Sequence, residues 1–323
     1  MRFIFRADAS QEIGSGHVMR SSVLAEEAIS RGFECIFVGR ISDLDWVADR
    51  ISKLGFSQVY SNQGNFLSDA NSDVLILDSY SIPVSEPFIA KKNWKIIMSI
   101  SDKITPEYES DIELRPGLAK VKVEQETPLV LSGADYILVR KGIGKPNRER
   151  SLGGVLKVLV TGGGSDPFGF VGAITEVVSS MKLDLEVHAF TNHFIPDYSE
   201  VQIVKHFIGT ELDLIANNVD LVLTTASTSS LEFIAREIPA GVACAVDNQD
   251  EYYEQLGRFG YAMQIGMRNA KGDWEFNHHA IRELLESQDK RDSLIKATKM
   301  LIDLEGAKRV IDTLVSTTEN TED

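Results

Sequence analysis

The chain has 323 residues, 43% hydrophobic and 25% charged, with a formal net charge of −15. That length buries a full core and fits two domains better than one, and the acidic balance excludes non-specific nucleic-acid binding, because a phosphate backbone would be repelled. No apolar run reaches the roughly 20 residues that span a bilayer. Arg2 and Arg6 break the first apolar segment against a signal-peptide reading, and the widely separated Cys35 and Cys244 make a poor disulfide framework. The expectation is a cytoplasmic protein with no integral membrane segment.

In chain order, Phe3-Ile4-Phe5 reads as a strand and is followed by Ile13-Gly14-Ser15-Gly16-His17-Val18-Met19-Arg20, which opens a helix running to Arg31. A glycine-bearing turn and an imidazole thus sit at a strand's carboxyl end, where α/β proteins place their chemistry. Gly14 and Gly16 let a ligand approach the backbone, and His17 can move a proton near neutral pH. A plain strand-to-helix turn with a packed histidine fits the same text. Cys35 to Val38, Val74 to Leu77 and Ile96 to Ile100 continue the apolar runs between amphipathic segments, the pattern of βαβ units. Asp43-Leu44-Asp45 reads as a solvated helix start. Leu77-Asp78-Ser79-Tyr80 ends a buried strand, so that a carboxylate and a phenol can meet His17; Asp78 also suits a simple cap of the following turn.

From Gly142 to Gly154 the text turns basic and rich in Gly, and a linker is expected between a domain over 1–145 and another over 153–315. The second series runs through Val155 to Val160, Leu185 to Phe190, Leu221 to Leu223 and Gly241 to Val246. Its first strand meets Gly162-Gly163-Gly164-Ser165-Asp166, where consecutive glycines cost backbone entropy and favour close approach to a ligand, although a tight loop is the alternative. Leu221 to Leu223 leads into Ser227-Thr228-Ser229-Ser230-Leu231-Glu232. Hydroxyls beside helix-start amides suit a diphosphate, and Glu232 suits a ribose diol; an ordinary N-cap has the same composition. Asn248 and Gln249, at the end of the next strand, offer paired donors and acceptors for sugar hydroxyls or N-acyl groups, or simply form a turn.

His188, His193, His206, His278 and His279 show no ligand spacing, so no metal site and no cofactor is read; His206 stays a candidate rim residue. The segment Asp292 to Val315 is apolar at helical spacing and interrupted at Gly306, as one kinked helix or two. Residues 316–323 read as a frayed tail.

Taken together, the motifs resemble the GT-B superfamily, and within it the bacterial UDP-2,4-diacetamido-2,4,6-trideoxy-β-L-altropyranose hydrolases of pseudaminic acid biosynthesis with their spore-coat polysaccharide relatives. The matching text is Arg6-Ala7-Asp8, Gly14-Ser15-Gly16-His17-Val18-Met19-Arg20, Asp78-Ser79-Tyr80, Ala134 to Arg140, Gly163 to Pro167, Ser227-Thr228 through Glu232, Asn248-Gln249 and Gly306 to Val310. The order is collinear over nearly the whole chain. Ile100-Ser101-Asp102 replaces the relatives' paired aspartates, and no glycine precedes Ser227-Thr228.

The resemblance implies an α/β chain of two Rossmann-like, doubly wound domains facing across a cleft. UDP would lie on the second domain, at Gly162, Gly163, Gly164, Ser165, Asp166, Ser227, Thr228, Ser229, Ser230 and Glu232. The sugar would lie toward Gly14, Gly16, Arg20, Asp78, Tyr80, Asn248 and Gln249, with His17 as general base. The expected reaction is metal-independent, inverting hydrolysis of a UDP-linked diacetamido-trideoxyhexose, the UDP-sugar being the small-molecule partner. A GT-B glycosyltransferase, a UDP-sugar 2-epimerase and a non-catalytic nucleotide-sugar binder are the rivals.

Overall fold

The computed structural model describes residues 1–101, 108–121, 128–146, 154–164, 166–199, 201–208 and 212–320, and of Asn248 the backbone. It divides into two units, Met1–Val139 with Leu304–Asp323, and Arg140–Asp303.

In the first unit β1 (Arg2–Ala7), β2 (Glu34–Val38), β3 (Gln58–Tyr60), β4 (Asp73–Asp78), β5 (Ile96–Ile100), β6 (Ile112–Arg115) and β7 (Leu129–Ser132) form one parallel sheet in the order β3-β2-β1-β4-β5-β6-β7. Helices α1 (Gly16–Ser30) and α2 (Asp45–Lys53) follow β1 and β2. Successive strand residues face opposite ways, so Phe3 and Phe5 pack with Val18, Leu24 and Ala28 of α1, while Ile4 packs with Ile36, Leu75, Leu77 and Trp94 on the other face. Both faces are covered. That is why β4 and β5 are buried along their whole length and read as continuous apolar runs.

The second unit repeats the plan with β8 (Leu156–Thr161), β9 (Leu185–Phe190), β10 (Gln202–His206), β11 (Leu221–Thr225), β12 (Ala240–Cys244), β13 (Met263–Arg268) and β14 (Trp274–Phe276), ordered β10-β9-β8-β11-β12-β13-β14 with β14 antiparallel. Its helices are α3 (Phe170–Ser180), α4 (Leu212–Ala216), α5 (Thr228–Ala235), α6 (Asp250–Arg258), α7 (His278–Glu286) and α8 (Gln288–Thr298). Val158 and Val160 pack under Val171, Ile174 and Val178 of α3 and Leu284 of α7.

The two strand orders share one topological property. The chain winds outward from β1 through β2 to β3, then returns to the other side of β1 with β4; likewise it winds from β8 to β10 and returns beside β8 with β11. At such a switch point the loops leaving neighbouring strands diverge, opening a crevice at the strands' carboxyl ends. Residues after β1 and β4 in one unit, and after β8 and β11 in the other, are therefore the ones placed to meet a ligand.

Three features differ from the sequence expectation. The division falls at Val139 and Arg140, ahead of the expected linker, because Gly144 N donates to Asn217 Oδ1 at 2.6 Å and Arg140 pairs with Asp213 and Glu232, tying 140–145 to the second unit. The last apolar segment is two helices, one of the two forms expected, but the second, α9 (Gly306–Asn320), belongs with the first unit instead of the domain expected over 153–315: Val310, Ile311 and Leu314 are fully buried in the core that α1 covers, and Arg31 Nη1 donates to Asp312 at 2.5 Å. Burying each such aliphatic side chain contributes about 1.5–3 kcal/mol. Residues 316–320 continue that helix, with Thr318 buried, where a frayed tail was expected; 321–323 lie outside the described residues. Among the described residues no helix is long and apolar enough to cross a membrane.

Candidate functional site

The first cluster gathers at the switch point of the first unit. After β1 the chain closes a tight turn in which Gly14 N donates to Ser10 O at 2.7 Å, with Gly14 at φ +81, a left-handed backbone that favours glycine. Ser15 then takes the N-cap position of α1 without a side-chain capping bond, and His17 and Arg20 lie three residues apart on one face of its first turns. Asp78 ends β4, in register with Ala7 of β1, and so stands beside that helix start.

The three side chains meet. His17 Nδ1 lies 2.6 Å from Asp78 Oδ1, while Arg20 Nε and Nη2 donate to Asp78 Oδ2 and Oδ1 at 2.5 and 2.7 Å. The Tyr80 ring stands edge-on to the imidazole at 4.6 Å, its hydroxyl 3.5 Å from Arg20 Nη2. Asp78 is fully buried. Burial alone would lift its carboxyl, but the charges and hydrogen bonds of Arg20 and His17 outweigh that and hold it below the usual carboxylate range. An ionised Asp78 accepts a hydrogen bond from Nδ1–H of His17 and leaves Nε2 as the basic nitrogen, the arrangement a general base requires.

The second cluster gathers at the switch point of the second unit. Gly162 to Gly164 leave β8 and Ala226 to Ser230 leave β11, with Thr161 and Thr224 in register between them. Asp166 lies beneath the glycine turn, 1% exposed, accepting from Thr191 Oγ1 at 2.9 Å and Val171 N at 3.4 Å; burial pushes its pKa up against those bonds. A Cβ on Gly162 would come within 2.2 Å of Asp166 Oδ1, so this turn needs glycine for a close approach from within. Ser227 caps α5, yet its Oγ makes no capping bond and no hydrogen bond among the described residues. A cap serine usually satisfies a helix-start amide; here the hydroxyl is buried without a partner among the described residues.

Several expected ligand residues are engaged within their own unit. Glu232 receives Arg140 Nε at 3.0 and 2.9 Å and its backbone N at 3.2 Å, so its carboxylate is shared with an arginine not expected at this site. Gln249 Oε1 accepts from Ala245 N at 3.0 Å, closing the loop after β12. Thr228, Ser229 and Ser230 form the first turn of α5, and Ser230 Oγ donates to Ser227 O at 2.6 Å. Ser165, Asp102 and the side chain of Asn248 lie outside the described residues. His206 ends β10 and hydrogen-bonds through Nε2 to His188 Nδ1 at 3.0 Å, with Glu186 on His188 Nε2 at 2.8 Å. Among the described residues no group of three or more His, Cys, Asp or Glu is placed to hold a metal ion.

No family model matches the chain. Over 288 residues, 82% of this chain and 99% of the relative, it is 24% identical to the UDP-2,4-diacetamido-2,4,6-trideoxy-beta-L-altropyranose hydrolase of Campylobacter jejuni. Among solved structures, spinosyn forosaminyltransferase SpnP superposes with a TM-score of 0.68 at 12% identity, over 99% of both chains. S. aureus MnaA, solved with UDP, superposes at 0.61 with 13% identity, over 99% of this chain and 97% of its own. The two-sheet α/β fold is thus the GT-B fold expected from the sequence, and the resemblance to the hydrolase extends along most of the chain.

Proposed function

We propose that the protein hydrolyses a UDP-linked diacetamido-trideoxyhexose, releasing UDP, as a cytoplasmic enzyme of nonulosonic acid biosynthesis of the pseudaminic type. The observation that carries this is the 2.6 Å contact of His17 Nδ1 with a buried, ionised Asp78 at the first unit's switch point. Nε2 of His17 takes a proton from water as the water oxygen bonds to the anomeric carbon. The bond from that carbon to the diphosphate oxygen breaks, its electron pair leaves on UDP, and the configuration inverts. Positioned proton transfer of this kind contributes about 10²–10⁴ in rate.

In this reading the second unit holds the nucleotide. Charge developing on the departing diphosphate is met by amides and hydroxyls at Gly162 to Gly164 and Ser227 to Ser230, with no metal in the scheme. Similarity to the Campylobacter jejuni hydrolase supports the substrate class, and the orphan Ser227 hydroxyl supports the place of the diphosphate. Glu232 reaches a ribose diol in this scheme only by sharing its carboxylate with Arg140.

The test is incubation with a panel of UDP-diacetamido-trideoxyhexoses without acceptor, watching the anomeric proton by NMR. Free UDP with an inverted sugar is the expected product. Strict dependence on an acceptor alcohol would make the protein a glycosyltransferase, an epimeric UDP-sugar would make it an epimerase, and binding without product would make it a carrier.

A further inference from the structure

We propose that Arg20 is a positioning residue for His17, holding Asp78 as the oriented anion that fixes the imidazole tautomer, and is not a ligand of the sugar. The inference deepens the proposed function and rests on it only for its kinetic part.

The geometry separates the two roles. Arg20 is 6% exposed, and its Nε and Nη2 form a two-pronged grip on Asp78. A carboxylate wholly out of water is costly unless a cation and hydrogen bonds compensate it, and a bidentate guanidinium supplies both while fixing the carboxylate plane. The plane so fixed turns Oδ1 toward His17. Oδ1 accepts from Arg20 Nη2 at 2.7 Å and stands 2.6 Å from His17 Nδ1, so one oxygen joins the guanidinium to the imidazole.

The same triangle decides the tautomer. Arg20 Nη2 is 3.4 Å from His17 Nδ1, and a guanidinium can only donate. If Nδ1 carried a lone pair toward Arg20, that lone pair would also face the Asp78 anion at 2.6 Å. The shorter contact prevails, so Nδ1 bears the proton and Nε2 the lone pair. The placement follows from helix periodicity: His17 and Arg20 are i and i+3 on α1, and both reach the last residue of the neighbouring β4. Tyr80 closes the set from the loop after β4, its ring against His17 and its hydroxyl toward Arg20. Among the described residues, Asp78 from β4, Arg20 from α1 and Tyr80 from the loop after β4 are the charged and titratable groups that lie against the ring.

The experiment is long-range 1H–15N NMR of the His17 imidazole in 15N-labelled protein without ligand, for wild type, Arg20→Gln and Arg20→Lys, assigned by loss of the signals in His17→Gln. In its neutral form the wild-type ring should show a protonated Nδ1 and a bare Nε2. Arg20→Gln should populate the opposite tautomer and lower kcat for UDP release by roughly 10²-fold, with KM holding within about twofold. Arg20→Lys keeps a cation without the fork and should fall between. An unchanged imidazole signature in Arg20→Gln together with a raised KM would overturn the proposal and make Arg20 a sugar ligand. Should Arg20→Gln not fold, a wild-type signature in Arg20→Lys would overturn it equally. If wild type releases no UDP from any donor, the functional reading falls, while the imidazole signature still decides the role of Arg20.

Discussion

His17 and Asp78 are 61 residues apart in sequence and 2.6 Å apart in space, joined because α1 begins beside the last residue of β4. A buried carboxylate on one imidazole nitrogen leaves the other free to act, and Asp78 has no exposure through which water could take its place.

Asp78→Asn removes the charge that selects the Nδ1–H tautomer. UDP release should fall by about 10²–10⁴, as when the carboxylate behind a catalytic histidine becomes an amide. The dissociation constant for UDP, measured by calorimetry, should not move. A variant with near wild-type kcat would remove Asp78 from the mechanism.

Gly162→Ala pushes a methyl onto Asp166, which Thr191 and Val171 hold in place. The glycine turn must shift, at a cost of about 1–3 kcal/mol. UDP affinity should weaken and the unfolding midpoint should drop. Unchanged affinity in a folded variant would remove this turn from the nucleotide cradle.

The fold was legible wherever both faces of a strand are apolar. Val74 to Leu77 and Leu221 to Leu223 read directly, whereas Ile112–Arg115 hides as β6 because Glu113 and Arg115 pair with each other inside it, and the edge strand Gln202–His206 has only Ile203 and Val204 as apolar residues between polar ones. Gly14, His17 and Asp78 stand out in the text because each follows an apolar run. The partner of Glu232 does not: Arg140 lies 92 residues away, and nothing local marks the pair. Nor does the apolar stripe of α9 state which core it covers, since Val310, Ile311 and Leu314 suit either unit by composition.

That helix gives a stability prediction. Leu314→Ala opens a cavity in the core of the first unit and should destabilise it by about 2–5 kcal/mol in urea unfolding. Truncation after Leu304 should be worse still. A truncated chain as stable as the full one would mean that this helix is dispensable to the first unit.

The paired imidazoles of β9 and β10 give a pH prediction. Burial, with the nearby His188 acting in the same direction, holds the His206 pKa below the ordinary imidazole value. The unfolded chain then binds the proton more tightly, so the contribution to stability is full above roughly pH 6.5 and is lost as pH falls through the unfolded value toward the folded one. His206→Gln should flatten the dependence of unfolding free energy on pH between about 7 and 5. The same slope in both proteins would contradict this.

The central claim is that His17 is the base that activates water. Its most direct measurement is the rate of UDP release from a turned-over UDP-diacetamido-trideoxyhexose, without acceptor, by His17→Ala beside wild type, with UDP binding measured on both. The account predicts loss of turnover by at least about 10²-fold with UDP affinity intact. A His17→Ala protein that still releases UDP at close to the wild-type rate would contradict it.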